Sequence, residues 1–218
     1  MDAFILQAIK YMDILDIAEL KIPLQKVTCL LGESGSGKTT LLRLLNHLIS
    51  PDSGKIYFMG EDLSELNPVE LRRRVVMLPQ TPVVFPGSVE ENLLQGLVYS
   101  EKPQVPPEKL TMVMEKVKLS KELHTPAGVL SGGEKQRLAL ARILLMDPDV
   151  FLLDEPSSAL DELTEKLILD SLTEYARSQG KTLIMVTHNR RMGDFYADYT
   201  VFLEKGHIQK TAEVAACE

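Results

Sequence analysis

The sequence predicts an α/β fold. Short apolar runs suited to buried strands alternate with helical patterns, and a glycine-rich loop joins one such run to one such helix. The runs at 27–31, 75–78, 150–153 and 183–186 lack clean polar alternation, which suits parallel strands covered on both faces. A chain of 218 residues with 44% hydrophobic content can bury one substantial core, and 25% charged residues is neither a disordered nor a fibrous composition.

Taken in order, residues 4–9 and 14–22 read as two strands that pair antiparallel. The run at 27–31 then leads through the glycine-rich loop into a helix at 39–48. Between Thr81 and Gly128 the composition changes. Pro82, Pro86, Pro103, Pro106, Pro107 and Pro126 punctuate helical pieces at 90–97 and 108–119, as expected of a small helical subdomain inserted into the core. Helices at 135–145 and 163–177 flank the 150–153 strand. Residues 199–204 and 207–211 flank Lys205-Gly206 as a terminal hairpin. The expected organisation is one domain, residues 1–218, with a core at 1–79 and 129–218 and the helical subdomain at 80–128.

A formal net charge of -7 argues against broad nucleic-acid binding, which needs a basic surface to neutralise phosphates, so no nucleic-acid partner is expected. Arg72-Arg73-Arg74 fits a solvated helix face. Cys29 sits in an apolar run and Cys217 in a short tail, which does not resemble a disulfide framework. No run approaches the roughly 18 apolar residues of a membrane span, and no signal peptide is evident. The expectation is a cytoplasmic chain whose membrane role, if any, runs through a partner.

Three segments carry chemistry. Gly32-Glu33-Ser34-Gly35-Ser36-Gly37-Lys38-Thr39 matches the P-loop pattern at each fixed position, after a strand and before a helix. Its glycines allow backbone N–H groups to converge on an anion, with the helix N-terminus behind them. Lys38 is expected to meet the β and γ phosphates, and the Thr39 hydroxyl to coordinate Mg²⁺. Asp154-Glu155 ends an apolar strand. Either the strand end simply meets solvent, or Asp154 holds Mg²⁺ through water and Glu155 accepts a proton from the attacking water. In Leu130-Ser131-Gly132-Gly133-Glu134-Lys135-Gln136-Arg137, Ser131 and Glu134 have capping-box spacing. An ordinary capped helix explains those two residues but not the paired glycines, which would let a phosphate approach the N–H groups.

With those residues in view, the chain resembles the ABC ATPase family over nearly its whole length. LSGGEKQR matches that family's signature motif, and the other motifs follow in the family's order. Gln80 resembles the Q-loop glutamine, and Ser157-Ser158-Ala159-Leu160-Asp161 the D-loop. His188 resembles the switch histidine, although a lone histidine after a strand is commonly structural. Tyr11 lies where the family often stacks an aromatic on adenine; a packing role is the alternative.

The resemblance implies a P-loop NTPase core of RecA-like type, with an N-terminal antiparallel β subdomain and the inserted helical subdomain. It implies ATP and Mg²⁺ as cofactors. The nucleotide would be held by Tyr11, Gly32, Glu33, Ser34, Gly35, Ser36, Gly37, Lys38, Thr39 and Thr40, with Ser131, Gly132, Gly133 and Asp161. Thr39, Gln80 and Asp154 would attend the metal, and Glu155, His188 and Gln80 the hydrolysis. It further implies a head-to-tail homodimer of cassettes, in which Ser131 and Gly133 contact the γ-phosphate bound by the other subunit.

Two function classes follow: the ATPase subunit of a membrane transporter, or a soluble ABC ATPase acting in macromolecular assembly. The short interval between P-loop and signature, without sustained heptads, disfavours DNA-repair members, and a single cassette disfavours ribosome-acting ones. A transporter subunit is favoured, peripheral on the inner face of the membrane through a separate permease. Ile49–Gly54, Gly60-Glu61-Asp62-Leu63-Ser64 and Gln80-Thr81-Pro82 resemble FetA-type iron-export ATPases. Phe85-Pro86-Gly87-Ser88-Val89 resembles phosphate-importer ATPases, so iron or another inorganic ion is the expected cargo. Val83, Val84 and Phe85 either fill the subdomain's core or face the permease.

Overall fold

The structure, a computed structural model, describes residues 1–156, 160–187, 193 and 195–214. Of the residues singled out above, Ser157, Ser158, Ala159, His188 and Cys217 lie outside the described residues. The chain divides into two compact units: residues 1–77, 149–155 and 173–218 in the first, 78–148 and 156–172 in the second.

Among the described residues the first unit is built on two sheets. Strands β1 (Asp2–Tyr11) and β2 (Leu15–Pro23) pair antiparallel, as their alternation requires. They are joined on β1's other edge by β4 (Ser53–Phe58) and then β5 (Glu61–Asp62). The second sheet has the order β10-β9-β3-β8-β7-β6, from β10 (His207–Glu213), β9 (Tyr199–Glu204), β3 (Val27–Leu31), β8 (Thr182–Thr187), β7 (Val150–Asp154) and β6 (Val75–Leu78). Strands β9, β3, β8 and β7 run parallel, and every residue of β3 and β7 is buried, the pattern of a sheet covered on both faces. Phe4, Phe58, Leu30, Leu41, Leu152 and Val201 belong to one continuous apolar cluster.

Helix α1 (Lys38–Leu45) follows the glycine-rich loop and is shorter than the expected 39–48. Asn46 caps it, and His47 at φ 55 turns the chain out of the helix. Helix α2 (Pro68–Arg74) and strands β4 and β5 were not anticipated from the sequence. The signal for α2 was present. Asn67 accepts from the N–H groups of Val69 and Glu70, and Pro68 occupies the first turn, where its missing N–H costs nothing. The arginines of α2 are engaged: Arg73 with Glu70, Arg74 with Asp149, and Arg72 with the His47 carbonyl.

In the second unit, α3 (Val89–Tyr99) and α4 (Pro107–Lys116) pack on α5 (Gly132–Met146). Buried Leu93, Leu97, Leu110, Val113, Leu140 and Ile143 supply the apolar faces. Helix α6 spans Glu162–Ser178. No helix among the described residues is long and apolar enough to cross a membrane.

Candidate functional site

Register explains why the site residues gather. Asp154 lies opposite Val186, and Leu31 opposite Thr187, so β3, β7 and β8 all end at one edge of the sheet. Ligands of open parallel sheets bind beyond that carboxyl edge. Gly32 to Gly37 leave β3 there, and Gly35 and Gly37 adopt φ 78 and 104, which favours glycine. A Cβ at Gly32 would meet the Leu203 carbonyl oxygen at 2.1 Å, and one at Gly37 would meet Leu15 Cδ2 at 2.6 Å. The loop therefore packs directly against its neighbours and has no room for side chains at these two positions.

Helix α1 starts at Gly37 with no side-chain cap and no acidic residue in its first turn. Its first N–H groups and the positive end of its dipole are left for an anion. Lys38 is only 6% exposed, and its Nζ donates to the carbonyls of Gly32 (2.8 Å) and Glu33 (2.7 Å). Burial pulls its pKa below the usual lysine value, against the opposing pull of Glu155 and Asp154. The Thr39 hydroxyl donates to Asp154, 3.0 Å from Oδ1 and 2.9 Å from Oδ2. Asp154 is buried, and burial pushes its pKa up, while the Thr39 bond holds it down and the neighbouring Glu155 charge adds to the rise.

Glu155 is half-buried beside them at φ 47, a left-handed conformation that costs a non-glycine residue about 1 kcal/mol. Its N–H still donates to Val186. Lys38, Thr39, Asp154 and Glu155 are thus brought together. Ser36 is buried, Gly32, Gly37 and Thr40 are half-buried, and Glu33, Ser34 and Gly35 are exposed. Tyr11, at the end of β1, is half-buried and packs on the apolar cluster.

Gln80, Ser131, Gly132, Gly133 and Asp161 belong to the second unit. Gln80 is exposed at a bend. Asp161 accepts from the Thr164 N–H at the start of α6, and that partner lowers its pKa. Helix α5 opens with a full capping box: Ser131 Oγ accepts from the Glu134 N–H, and Glu134 Oε2 accepts from the Ser131 N–H. Of the four N–H groups a helix start leaves over, the box accounts for two; the other two belong to Gly132 and Gly133. Gly132 is exposed, with open space where a side chain would stand. The helix end is thus open at Gly132, while Gly133 beside it is half-buried. The Ser131 N–H and Lys121 hold Glu134 ionised down to about 2.

Sequence reasoning missed several residues that shape these segments. Asn92 is fully buried and bonds both the N–H and the carbonyl of Phe85. Arg142 donates to the Val83 carbonyl and lies 4.8 Å over the Phe85 ring. Gln136, also fully buried, donates to the carbonyl of Pro156. Gly206 donates its N–H to the Ser36 carbonyl inside the phosphate loop. The Lys205-Gly206 turn was legible, but its contact with the loop was not.

A family model described as "ABC transporter" matches residues 15–158. The chain is 39% identical over 210 residues to ABC multidrug transporter atrC of Emericella nidulans, covering 89% of this chain and 16% of that protein. It is 35% identical over 213 residues to phosphate import ATP-binding protein PstB 1 of Lactobacillus acidophilus, covering 90% of this chain and 79% of that one. The fold matches the dimeric post-hydrolysis structure of the ATP-binding cassette MJ0796 bound to ADP and Pi, with TM-score 0.86 at 22% identity, covering 98% and 100% of the two chains. The chain thus spans most of the phosphate-import protein but a small part of the multidrug transporter. These relatives are named for phosphate import and multidrug transport, so the resemblance to FetA-type iron exporters gains no support from them.

Proposed function

This chain belongs to the ABC transporter family as its ATP-binding cassette, and from that premise we propose that it hydrolyses ATP as one half of a head-to-tail pair, energising a separate transmembrane permease. The observation that carries the proposal is the cluster of Lys38, Thr39, Asp154 and Glu155 at the carboxyl edge of the parallel sheet.

In this reading Lys38 exchanges its carbonyl partners for β- and γ-phosphate oxygens, and the uncapped start of α1 receives the rest of the phosphate charge. The donor set fits Mg²⁺. A hydroxyl and a buried carboxylate are hard oxygen ligands, and a cation would offset the burial that pushes the Asp154 pKa up. Thr39 and Asp154 would hold it. When bound, the ion supplies positive charge against the phosphate oxygens. Glu155 accepts a proton as the oxygen of water bonds to the γ-phosphorus and the bond to the ADP oxygen breaks.

Ser131, Gly132 and Gly133 complete the site of the partner cassette, supported by the two N–H groups the capping box leaves over. ATP then favours the closed pair because it contacts both halves, and hydrolysis removes those contacts. A cavity of ≈ 760 Å³ lined by Pro82, Val84, Phe85, Pro86, Gly87 and Ser88 suits a short helix of the permease. Val83 is 54% exposed and Val84 and Phe85 are half-buried, which favours contact over a core role. Docking there would hold the chain on the inner face of the membrane, and an inorganic ion is the proposed cargo.

The test is Glu155→Gln, which keeps size and hydrogen bonding but removes the proton acceptor. The expected result is retained ATP binding, turnover lowered by about 10²- to 10⁴-fold, and an ATP-stabilised dimer by size exclusion. Hydrolysis at the wild-type rate would reject the assignment.

A further inference from the structure

The tip of the β9–β10 hairpin joins two parts of the nucleotide site that are remote in sequence. The Gly206 N–H donates to the Ser36 carbonyl in the phosphate loop at 3.1 Å. The Gly206 carbonyl accepts from the Asp16 N–H at 2.9 Å, just past the turn that follows Tyr11. His207 Nδ1 lies 2.9 Å from the Asp16 carbonyl oxygen, a second tie to the same residue. From the other side, Leu15 Cδ2 fills the space over Gly37, where a Cβ would stand 2.6 Å away.

Peptide planarity gives the first bond a further effect. The carbonyl of one residue and the N–H of the next point in opposite directions. Holding the Ser36 carbonyl toward Gly206 therefore turns the Gly37 N–H away from the hairpin. All but one of these ties are main-chain bonds, so they depend on backbone approach. Only glycine permits it. Residue 206 has φ 81, and a Cβ there would meet the Ile14 carbonyl oxygen at 2.3 Å and Leu15 Cα at 3.2 Å.

We propose that the Lys205-Gly206-His207 tip is a positioning element that sets the spacing between the Tyr11–Leu15 turn, on the base side of the nucleotide, and the phosphate loop. The inference rests on the ATP-site reading above and takes Tyr11, as the family resemblance implies, to lie on the base side. Gly206 and His207 touch neither base nor phosphate; they act through the two segments they tie. The nearest atoms to a side chain at 206 are those of Ile14 and Leu15, so it displaces the turn ahead of the phosphate cradle. The consequence is selective. Ligands that span both segments are weakened, and ligands that engage only the loop are not.

The experiment measures binding of ATP and of inorganic tripolyphosphate to the isolated full chain by calorimetry, for wild type, Gly206→Ala, His207→Ala and Lys38→Ala. Gly206→Ala is expected to weaken ATP by about tenfold while leaving tripolyphosphate within about twofold, and to raise KM with kcat retained. His207→Ala removes one tie without a clash and is expected to shift ATP in the same direction by about threefold. It decides the matter should Gly206→Ala fail to fold. Equal loss for both ligands, or no loss of ATP affinity, overturns the proposal. Lys38→Ala separates the two levels of inference. If wild type binds tripolyphosphate no better than Lys38→Ala does, the ATP-site reading itself has failed; if only the Gly206 and His207 selectivity is missing, the spacing role alone has failed.

Discussion

Helix α1 begins at Gly37 with no side-chain cap and no acidic residue in its first turn, whereas α5 begins at Ser131 with a capping box closed by Glu134. Both starts are assigned to phosphate, yet their electrostatics are opposed. At α1 the helix dipole and the Lys38 ammonium add, giving a site that attracts an anion without help from another subunit. At α5 the Glu134 carboxylate offsets the dipole, and two of the four N–H groups are already satisfied. The α5 start is stable by itself and has little attraction for a free phosphate. In the proposed head-to-tail pair it contributes when a second cassette delivers a phosphate already neutralised by that cassette's Lys38. The difference teaches how, in the proposed pair, one helix start can serve nucleotide binding by a single chain while the other acts only across a dimer.

The comparison can be broken at either helix. The largest effect is expected from Lys38→Ala. Charge-assisted bonds are worth about 1.5–3 kcal/mol each, so loss of two should cost about 10²-fold or more in ATP affinity by calorimetry. A loss below tenfold would mean that α1 is not the main anion site. Next comes Ser131→Arg, whose bulk fills the exposed α5 start. ATP affinity of the isolated chain should stay within about twofold while ATPase activity falls by about 10²-fold, the loss typical of removing a transition-state donor. If affinity falls in step with activity, the signature serves its own chain's nucleotide. Cysteines placed at Ser34 and Ser131, in a chain lacking Cys29 and Cys217, sharpen this point: the head-to-tail arrangement expects ATP-dependent crosslinks between chains.

A smaller effect tests the cap itself. Ser131→Ala should destabilise the fold by about 1 kcal/mol in chemical unfolding, the usual cost of an N-cap serine. The smallest effect is electrostatic. Glu134 is ionised down to about 2 in the folded chain, below its ordinary value of 4.5. Its charge therefore adds stability that is complete above the ordinary value and fades as pH falls toward 2. Glu134→Gln should lower Tm slightly at pH 7, and the gap to wild type should close on acidification. A gap that widens in acid would refute the sign.

What the sequence disclosed was local. The phosphate loop, the Asp154-Glu155 strand end and the Ser131 capping box are each set by neighbours a few residues away, and the structure forms them where the motifs lie. The helix α2 start was equally local, in Asn67-Pro68, and was overlooked because a short polar helix has little apolar period. Strand β4 was missed for a different reason. Its Ser-Gly start reads as a turn, and only pairing with β1 makes it a strand. Gly206 and Gln136 could not be found by spacing, since each acts on a segment distant in the chain through backbone groups that no side-chain pattern reports.

Asn92 and Arg142 have a consequence of a different order. Both reach the Val83–Phe85 backbone from within the second unit, Asn92 through Phe85 and Arg142 through the Val83 carbonyl. The path of this segment is thus fixed by residues that do not belong to it. The exposed side chain of Val83 can then be exchanged with little effect on folding, because exposed substitutions typically change stability by less than about 0.5 kcal/mol. If this segment docks the permease as proposed, a lineage could re-tailor its exposed surface to a new partner with each intermediate still folded, provided that Asn92 and Arg142 stay. Variation should therefore concentrate on the outward face of the segment and spare the two residues behind it.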